Sequence, residues 1–363
     1  MHLLRYSTFI FSFTLVISSL HAQQAVYPAK YVCYSVGEGI NIDGQINESD
    51  WEKVPWTEDF VDIEGIDKPK PTYRTRAKML WNENYFYVAA ELEEPHIWGT
   101  YKKHDMVIFH EHDFEVFIDP DGDTHQYYEL EINARGTVWD LLLGKPYRDG
   151  GPAINAWDIN GLKSAVHLYG DINNPDNEDE RWTIELAFPW EVLKECARPR
   201  RRPMDGDQWR VNFSRVEWKL DVVEGKYQKT INQDTGRPYP EFNWVWSPQG
   251  VIAMHQPETW AYVQFSEVIA GQGVTAFHVN PEEEIKWALR EVYYLEQDYM
   301  EEKGSYSSNH QEIGVDKIQL GGQKFKPDII ATKDMFHCYY PGKKAGSIWH
   351  IRDDGKVWMT FEK

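Results

Sequence analysis

Residues 112–133, HDFEVFIDPDGDTHQYYELEIN, contain the pattern that determines the fold. Side chains of a β-strand point alternately to the two faces of a sheet, so Phe114, Val116 and Ile118 share one face. The acidic residues between them fall on the other face. The segment from Asp119 to Asp123 is rich in the residues of a tight turn. The stretch therefore predicts a β-hairpin with strands at Phe114–Ile118 and Tyr127–Asn133.

Similar short runs, separated by clusters of Gly, Pro, Asn and Asp, recur on both sides of this hairpin. This spacing is typical of an all-β fold, an antiparallel β-sandwich. Residues 137–161 are predicted to form a long, irregular, aromatic loop that carries function. The other predicted strands are Arg76–Trp81, Tyr85–Leu92, Ala165–Leu168, Trp182–Phe188, Trp209–Trp218 and Ala261–Ser266, with a helical turn at Pro189–Cys196.

A different pattern begins after a predicted linker at residues 271–279. Asn280 and Pro281 suit the start of a helix, and apolar residues then recur at helical spacing. These residues are Ile285, Leu289, Val292, Leu295 and Tyr299. Four predicted strands follow, at Asp328–Thr332, Phe336–Tyr340, Ser347–Ile351 and Val357–Phe361. We expect a β-sandwich over residues 23–270 and a small α+β domain over residues 280–363.

Residues 1–22 have the features of a secretory signal peptide: a basic Arg5, an apolar run from Phe9 to Leu20, and small residues around Ala22. The apolar run is shorter than the roughly 20 residues that a spanning helix needs. We therefore expect an exported protein, periplasmic or extracellular, without membrane insertion.

Composition narrows the function. The chain has 38 Lys+Arg against 58 Asp+Glu, a net charge of −20, which argues against nucleic-acid binding because phosphate contacts need clustered cations. Its 16 Trp, 21 Tyr and 16 Phe make up 15% of 363 residues. Aromatic rings stack on the apolar faces of sugars, so this excess indicates carbohydrate binding. The tryptophans near predicted loops or strand ends are Trp98, Trp139, Trp157, Trp244 and Trp246.

Acidic residues suggest two kinds of site. In the predicted hairpin, Glu115, Glu129, Glu131 and Asn133 share one face, which sugar hydroxyls, arginines or Ca²⁺ would neutralise; a solvated outer face is the alternative. Asp119, Asp121 and Asp123 place three oxygens around a glycine, a pattern that suits structural Ca²⁺ and equally an ordinary acidic turn. Glycoside hydrolysis by Glu115 with Glu131 or Asp140 is a further alternative.

Residues from about 41 to 268 resemble a family 9 carbohydrate-binding module of the type exported by Bacteroidetes. The resemblance implies an antiparallel β-sandwich that binds sugars, often with structural calcium. It lies in four stretches: Ile42–Glu48 with Trp51, Met79–Val88, His112–Asp119 and Val245–Pro248.

In that family two tryptophans hold a sugar end with a glutamate, an arginine and an asparagine. Glu115 matches the glutamate and Asn133 the asparagine. Phe109, Met254 and Glu131 stand where the two tryptophans and the arginine would be, so the family's ligand preference does not transfer. We hypothesise that residues 137–161 rebuild the opposite wall of the site. The predicted carbohydrate-binding residues are Phe109, Glu115, Glu131, Asn133, Trp139, Arg148, Trp157 and Trp246.

The sequence thus predicts an exported, non-catalytic protein that binds a polysaccharide or oligosaccharide in carbohydrate catabolism. A glycoside hydrolase is the first alternative. The second is a surface-assembly component whose C-terminal domain binds a protein partner.

Overall fold

The computed structural model describes residues 28–362, so the predicted signal peptide lies outside the described residues. Between residues 30 and 269 the chain forms fifteen strands, two short helices and three 3-10 turns. The strands are β1 (Lys30–Ser35), β2 (Val61–Asp62), β3 (Thr75–Trp81), β4 (Tyr85–Glu93), β5 (Asp113–Asp119), β6 (Tyr127–Asn133), β7 (Val138–Leu143), β8 (Ala153–Ile154), β9 (Lys163–Tyr169), β10 (Arg181–Pro189), β11 (Gln208–Glu217), β12 (Leu220–Val223), β13 (Lys226–Lys229), β14 (Phe242–Val245) and β15 (Ala261–Ile269). The helices are α1 (Ser49–Glu52) and α2 (Trp190–Leu193), and the 3-10 turns are Ile108–His110, Tyr147–Asp149 and Pro257–Thr259.

Backbone hydrogen bonds join these strands in the order β8-β7-β6-β5-β11-β15-β1-β3-β4-β10-β9, with β14 between β11 and β2 and a separate β12-β13 hairpin. Apolar residues of β5, β6 and β11, such as Phe114 and Phe213, pack in one core with those of β3, β4 and β10, such as Met79 and Ile184. The two halves of the sheet therefore face each other as a sandwich, which confirms the predicted fold class.

Strand β1 joins the two halves, and it is parallel to both of its neighbours. Lys30 lies opposite Tyr262 of β15, and Tyr34 lies opposite Leu80 of β3. The predicted antiparallel sandwich therefore contains one strand that pairs in parallel on both sides. The strand was missed because its position in the sheet depends on partners far along the chain.

The predicted loop over residues 137–161 was also wrong in part, because its first residues form strand β7, which pairs with β6, and β8 pairs with β7. Five of the six residues of β7 are buried. A strand buried on both faces lacks the polar and apolar alternation by which a strand is recognised.

The C-terminal part consists of one long helix and a four-stranded antiparallel sheet, as predicted. The helix begins at Glu283 rather than at Pro281, and the side chain of Asn280 accepts the Glu282 N–H at 3.1 Å. Its predicted apolar residues pack against the sheet. The elements are α3 (Glu283–Lys303), α4 (His310–Ile313), a 3-10 turn (Val315–Lys317), β16 (Gln319–Leu320), β17 (Gln323–Lys324), β18 (Asp328–Ala331), β19 (Phe336–Pro341), β20 (Ser347–Arg352) and β21 (Val357–Phe361).

A second, charged face of α3 docks on the sandwich. Arg148 donates from Nη1 and Nη2 to the two carboxylate oxygens of Glu258, at 2.7 and 3.1 Å, and the Tyr294 hydroxyl of α3 also donates to Glu258. Tyr262 of β15 donates to Glu283 at 2.5 Å. The predicted linker is itself bonded to the sandwich, since Gln264 donates to the Ala276 carbonyl at 2.9 Å. The C-terminal part is therefore anchored to the sandwich rather than tethered by a free segment.

Two properties apply to the described residues as a whole. Cys33, Cys196 and Cys338 are all free thiols. Within residues 28–362, no helix combines the length and the apolar character needed to cross a membrane.

We expect Glu258→Ala to lower the free energy of unfolding by about 3 kcal/mol, because removing one partner of a buried ion pair leaves the other without compensation. Although burial alone would raise it, Arg148 and Arg290 lower the pKa of Glu258 to about 2. A depressed pKa gives stability that is present above the unfolded value and is lost as the pH falls toward 2. Urea unfolding at pH 7 and pH 3 measures both effects.

The matched control is Glu301→Ala, an exposed position on the same helix, where we expect a change below about 0.5 kcal/mol. Equal effects of the two substitutions would contradict the anchoring role of Glu258.

Candidate functional site

The predicted polar face of the hairpin exists. Glu115 lies opposite Glu131, Phe117 opposite Glu129, and Asp113 opposite Asn133. We call Asp113, Glu115, Glu129 and Glu131 the carboxylate face. Its side chains are not solvated, because they are 0, 5, 5 and 1% exposed, respectively. The alternative interpretation, a wet outer face, is therefore wrong.

An apolar cluster covers the carboxylate face. Phe109 and Met254, which the resemblance places at the positions of the two tryptophans, are both half-buried and both pack on this cluster. The Phe109 N–H also donates to Glu131 Oε2 at 2.8 Å. The members at the centre of the cluster are Ile108, Phe117, Tyr127, Trp139, Leu141, Leu143 and Trp260. We call this cluster, with the half-buried Phe109 and Met254 at its edge, the aromatic mouth.

Burial dominates the electrostatics of this face. It raises the pKa of Glu115 to about 7. It also raises the pKa of Asp113, Glu129 and Glu131 well above the usual range, and repulsion from other carboxyl groups of the face raises the pKa of these three further. Asp113 Oδ2 and Glu129 Oε2 are buried without a hydrogen-bond partner among the described residues. These raised pKa values favour the neutral acid form, which can both donate and accept hydrogen bonds.

Asn133 has a structural role. Its Oδ1 accepts the N–H groups of Arg135 and Thr137, both at 3.0 Å. Its Nδ2 donates to the Tyr101 carbonyl at 3.1 Å and to Glu111 at 3.3 Å. These four bonds use the full hydrogen-bonding capacity of an asparagine amide, so no group of Asn133 is left for a ligand.

The other predicted aromatic residues divide between the mouth and the core. Trp139 lies opposite Glu131 on the carboxylate face and is 9% exposed. Trp157 instead stacks on Tyr128, with ring centroids 4.9 Å apart, on the other side of β6. Trp246 is 2% exposed and stacks on Phe213 at 5.7 Å. Neither Trp157 nor Trp246 reaches the mouth.

Besides Trp139, residues 137–161 contribute Tyr147 to the mouth. Tyr147 is 48% exposed and meets His255 edge-on, with ring centroids 4.4 Å apart. His255 follows Met254, so Tyr147 stands at the rim of the mouth. Arg148, the next residue, is engaged by Glu258 at the contact with α3. The structure therefore brings together Phe109, Glu115, Glu131 and Trp139 from the predicted set, and it gives Asn133, Arg148, Trp157 and Trp246 other contacts.

Of the two suggested catalytic pairs, Glu115 with Asp140 was wrong. In the register of β6 and β7, Glu131 lies opposite Trp139 and Leu130 lies opposite Asp140, so the two carboxylates of this pair occupy opposite faces of the sheet. Asp140 instead lines a groove of 590 Å³. Glu115 and Glu131 do share a face, and a carboxylate oxygen of each lies within 4.8 Å of the other.

The acidic turn at Asp119–Asp123 lies at the contact with the C-terminal part. Both oxygens of Asp119 accept backbone N–H groups, from Gly122 and Thr124, at 2.9 Å each. Lys356 of the C-terminal part lies 2.8 Å from Asp123 Oδ2. Asp121 Oδ1 alone is buried without a hydrogen-bond partner among the described residues. Most of these oxygens thus already have protein donors, so the turn fits a contact between the two parts of the chain better than a calcium site. Calcium binding at this turn stays a prediction.

A second group of buried acids, Glu94 and Glu217, is compensated by a buried arginine. Arg215 is 1% exposed and lies 2.7 Å from Glu94 Oε2 and 2.9 Å from Glu217 Oε2. Against the effect of burial, His112 and Arg215 lower the pKa of Glu94 to about 2. The contrast with the carboxylate face, where no described cation compensates burial, marks that face as unusual.

Comparison with known proteins identifies the segment that contains this face. Residues 42–141 match the model of a family described as carbohydrate family 9 binding domain-like, which confirms the resemblance over that segment. An exoglucanase, XynX, from Acetivibrio thermocellus is 27% identical over 149 residues. This match spans 41% of the chain and 11% of the length of the enzyme.

Solved structures give weaker similarities. A Bacteroides uniformis protein proposed to bind carbohydrate is 16% identical with a TM-score of 0.47, covering 66% of this chain and 100% of that one. A family 9 carbohydrate-binding module from Caldicellulosiruptor kristjanssonii, solved with cellotriose, is 15% identical with a TM-score of 0.40, covering 68% of this chain and 98% of that one.

We expect the stability of the protein to fall as the pH rises from about 4.5 to 7. The folded protein binds more protons on Glu115 than the unfolded chain does, because the folded pKa is raised to about 7, and such a group loses stability with increasing pH. Glu115→Gln should remove on the order of 2 kcal/mol of this loss. Chemical unfolding across this pH range measures the slope.

Glu83→Gln, in an exposed turn, is the control and should keep the wild-type slope. A Glu115→Gln variant with an unchanged slope would show that Glu115 is ionised in the folded protein at neutral pH.

Proposed function

We propose that this protein binds carbohydrate at the aromatic mouth above the carboxylate face. The observation that carries the proposal is that residues 42–141 match the family 9 binding domain and supply the carboxylate face, Phe109 and Trp139. Met254 and Tyr147 complete the rim. A sugar ring would lie against Phe109, as sugars do on aromatic surfaces.

The polar part of the site differs from that of the family as the resemblance describes it. Glu131 stands where an arginine is expected, so a carboxyl pair replaces a carboxylate and a cation. Neutral acids at Glu115 and Glu129 would donate to sugar hydroxyls and accept from them. We therefore infer a neutral oligosaccharide or polysaccharide end as the ligand, since an anionic sugar would be repelled whenever these acids ionise.

We further propose that the protein is exported and serves carbohydrate catabolism. The support for export is the signal-peptide pattern of residues 1–22. A glycan array with the purified protein, in the presence of calcium and of chelator, tests the binding and the calcium prediction together.

Phe109→Ala should weaken glycan binding roughly tenfold, because it removes the stacking wall and about 1.4 kcal/mol of contact. Trp157→Ala should leave affinity unchanged, since its ring packs on Tyr128. Phe361→Ala is the matched control, a phenylalanine that is 58% exposed in the C-terminal sheet. Wild-type affinity in Phe109→Ala would place the binding site elsewhere.

Glycoside hydrolysis is the second candidate, because Glu115 and Glu131 have oxygens within 4.8 Å of each other, close to the roughly 5 Å between the carboxyl groups of retaining enzymes. Each glycan retained on the array should be incubated with the protein and its products separated. Cleavage that is lost in Glu115→Gln would establish the enzyme; binding without cleavage would establish the binding protein.

A further inference from the structure

A cluster of four side chains lies outside the mouth, on the other side of β7. His104, Asp105, Asp140 and Asp158 each direct one ligand atom toward a common point, and these atoms all lie within 4.8 Å of one another. The cluster lies at the groove of 590 Å³ that Asp140 lines. Asp140 and Asp158 lie 35 and 53 residues beyond Asp105 in the sequence, which is why no spacing motif revealed the cluster.

The distances from His104 to the three carboxylates match those between the ligands of a coordinated metal. His104 Nε2 lies 3.3 Å from Asp105 Oδ1, 3.4 Å from Asp140 Oδ1 and 3.2 Å from Asp158 Oδ1. Zinc bonds to nitrogen and oxygen ligands are about 2.0–2.2 Å long, so the ligand atoms of a zinc tetrahedron are separated by about 3.3 Å.

The histidine is oriented as a ligand. Its Nδ1 lies 3.0 Å from the Val138 carbonyl, and since a carbonyl can only accept, Nδ1 carries the hydrogen. The second nitrogen, Nε2, therefore faces the three carboxylates. A backbone carbonyl that fixes the histidine in this way is the usual outer contact of a metal-binding imidazole.

Asp140 supplies an independent indication of a bound ion. It is 2% exposed, and one of its oxygens accepts the Ile159 N–H. The other oxygen, Oδ1, is buried, points into the cluster and has no hydrogen-bond partner among the described residues. A proton on His104 Nε2 could be donated to only one carboxylate, and Asp158 is in hydrogen-bonding position at 3.2 Å. One cation coordinated by all four residues would satisfy Asp140 as well.

We propose that His104, Asp105, Asp140 and Asp158 bind a divalent transition-metal ion, with zinc as the ion that fits the geometry. An imidazole nitrogen with carboxylate oxygens suits zinc, whereas calcium takes six to eight oxygens. His104 and Asp158 are each 54% exposed, so the ion can enter from solvent without unfolding. This site is distinct from the acidic turn at Asp119–Asp123 and from the carboxylate face.

The test is titration calorimetry of the chelator-treated full protein with zinc, manganese and calcium chlorides. We expect one zinc ion per chain at this site, with manganese and calcium binding more weakly. Asp140→Asn keeps an oxygen for the Ile159 N–H but removes the charge, and His104→Ala removes the imidazole. Each should weaken zinc binding roughly tenfold or more.

The control is His350→Ala. A ring nitrogen of His350 lies 3.0 Å from one of His337 in the C-terminal sheet, and such an imidazole pair could also hold added zinc. The variant should bind zinc at the proposed site as the wild type does. All variants should keep a cooperative thermal unfolding transition in chelator, which separates loss of a ligand from loss of the fold.

Cobalt provides a spectroscopic readout, because a four-coordinate cobalt site absorbs visible light more strongly than aqueous cobalt. We expect this absorbance in the wild type and in His350→Ala, and its loss in Asp140→Asn. Zinc affinity that is unchanged in Asp140→Asn and His104→Ala, or that disappears only in His350→Ala, would overturn the proposal. So would calcium binding as tightly as zinc.

Discussion

An unpaired buried carboxylate is among the least favourable groups that a protein interior can contain, and this constraint organises the whole molecule. Glu94 and Glu258 are compensated by ion pairs with Arg215 and Arg148, respectively. On the carboxylate face the pKa values are raised instead, which favours the uncharged form of the buried groups. Carboxyl groups in the neutral form can both donate and accept hydrogen bonds, and this is the physical basis for the sugar site proposed above the face.

The need to compensate buried charge also determines the contact between the sandwich and the C-terminal part. Helix α3 buries an apolar stripe against its own sheet, and it buries Glu283, Lys286 and Arg290 toward the sandwich. These charged residues are compensated across the contact, as by the Tyr262 hydroxyl that donates to Glu283. Lys356 of the last hairpin forms an ion pair with Asp123 in the acidic turn at Asp119–Asp123. The C-terminal part is thus a third layer of the molecule, held by ionic and polar contacts rather than by a shared apolar core.

The sequence pattern predicted the strands and the helix whose apolar residues recur at regular spacing. It failed where an element or a site residue depends on partners that are distant in the sequence. The β5-β6 hairpin and the long helix were predicted because period-two and helical spacing are local properties. Strand β7 was missed because it is buried on both faces, and β1 because its partners are 46 to 234 residues away. Glu115 and Glu131 were placed together because they share a hairpin. The roles of Arg148 and Trp246 depend on Glu258 and Phe213, which no local pattern connects to them.

The position of β1 has a consequence for how the protein can fold. Since β1 lies between β15 and β3, the first strand of the sheet cannot pair on both sides until residue 269 is available. Contacts between such distant segments slow folding, and until they form, two sheet edges remain open to strands from other copies. A chain shortened before β15 would therefore expose these edges, and its characteristic failure would be exchange of β1 between molecules.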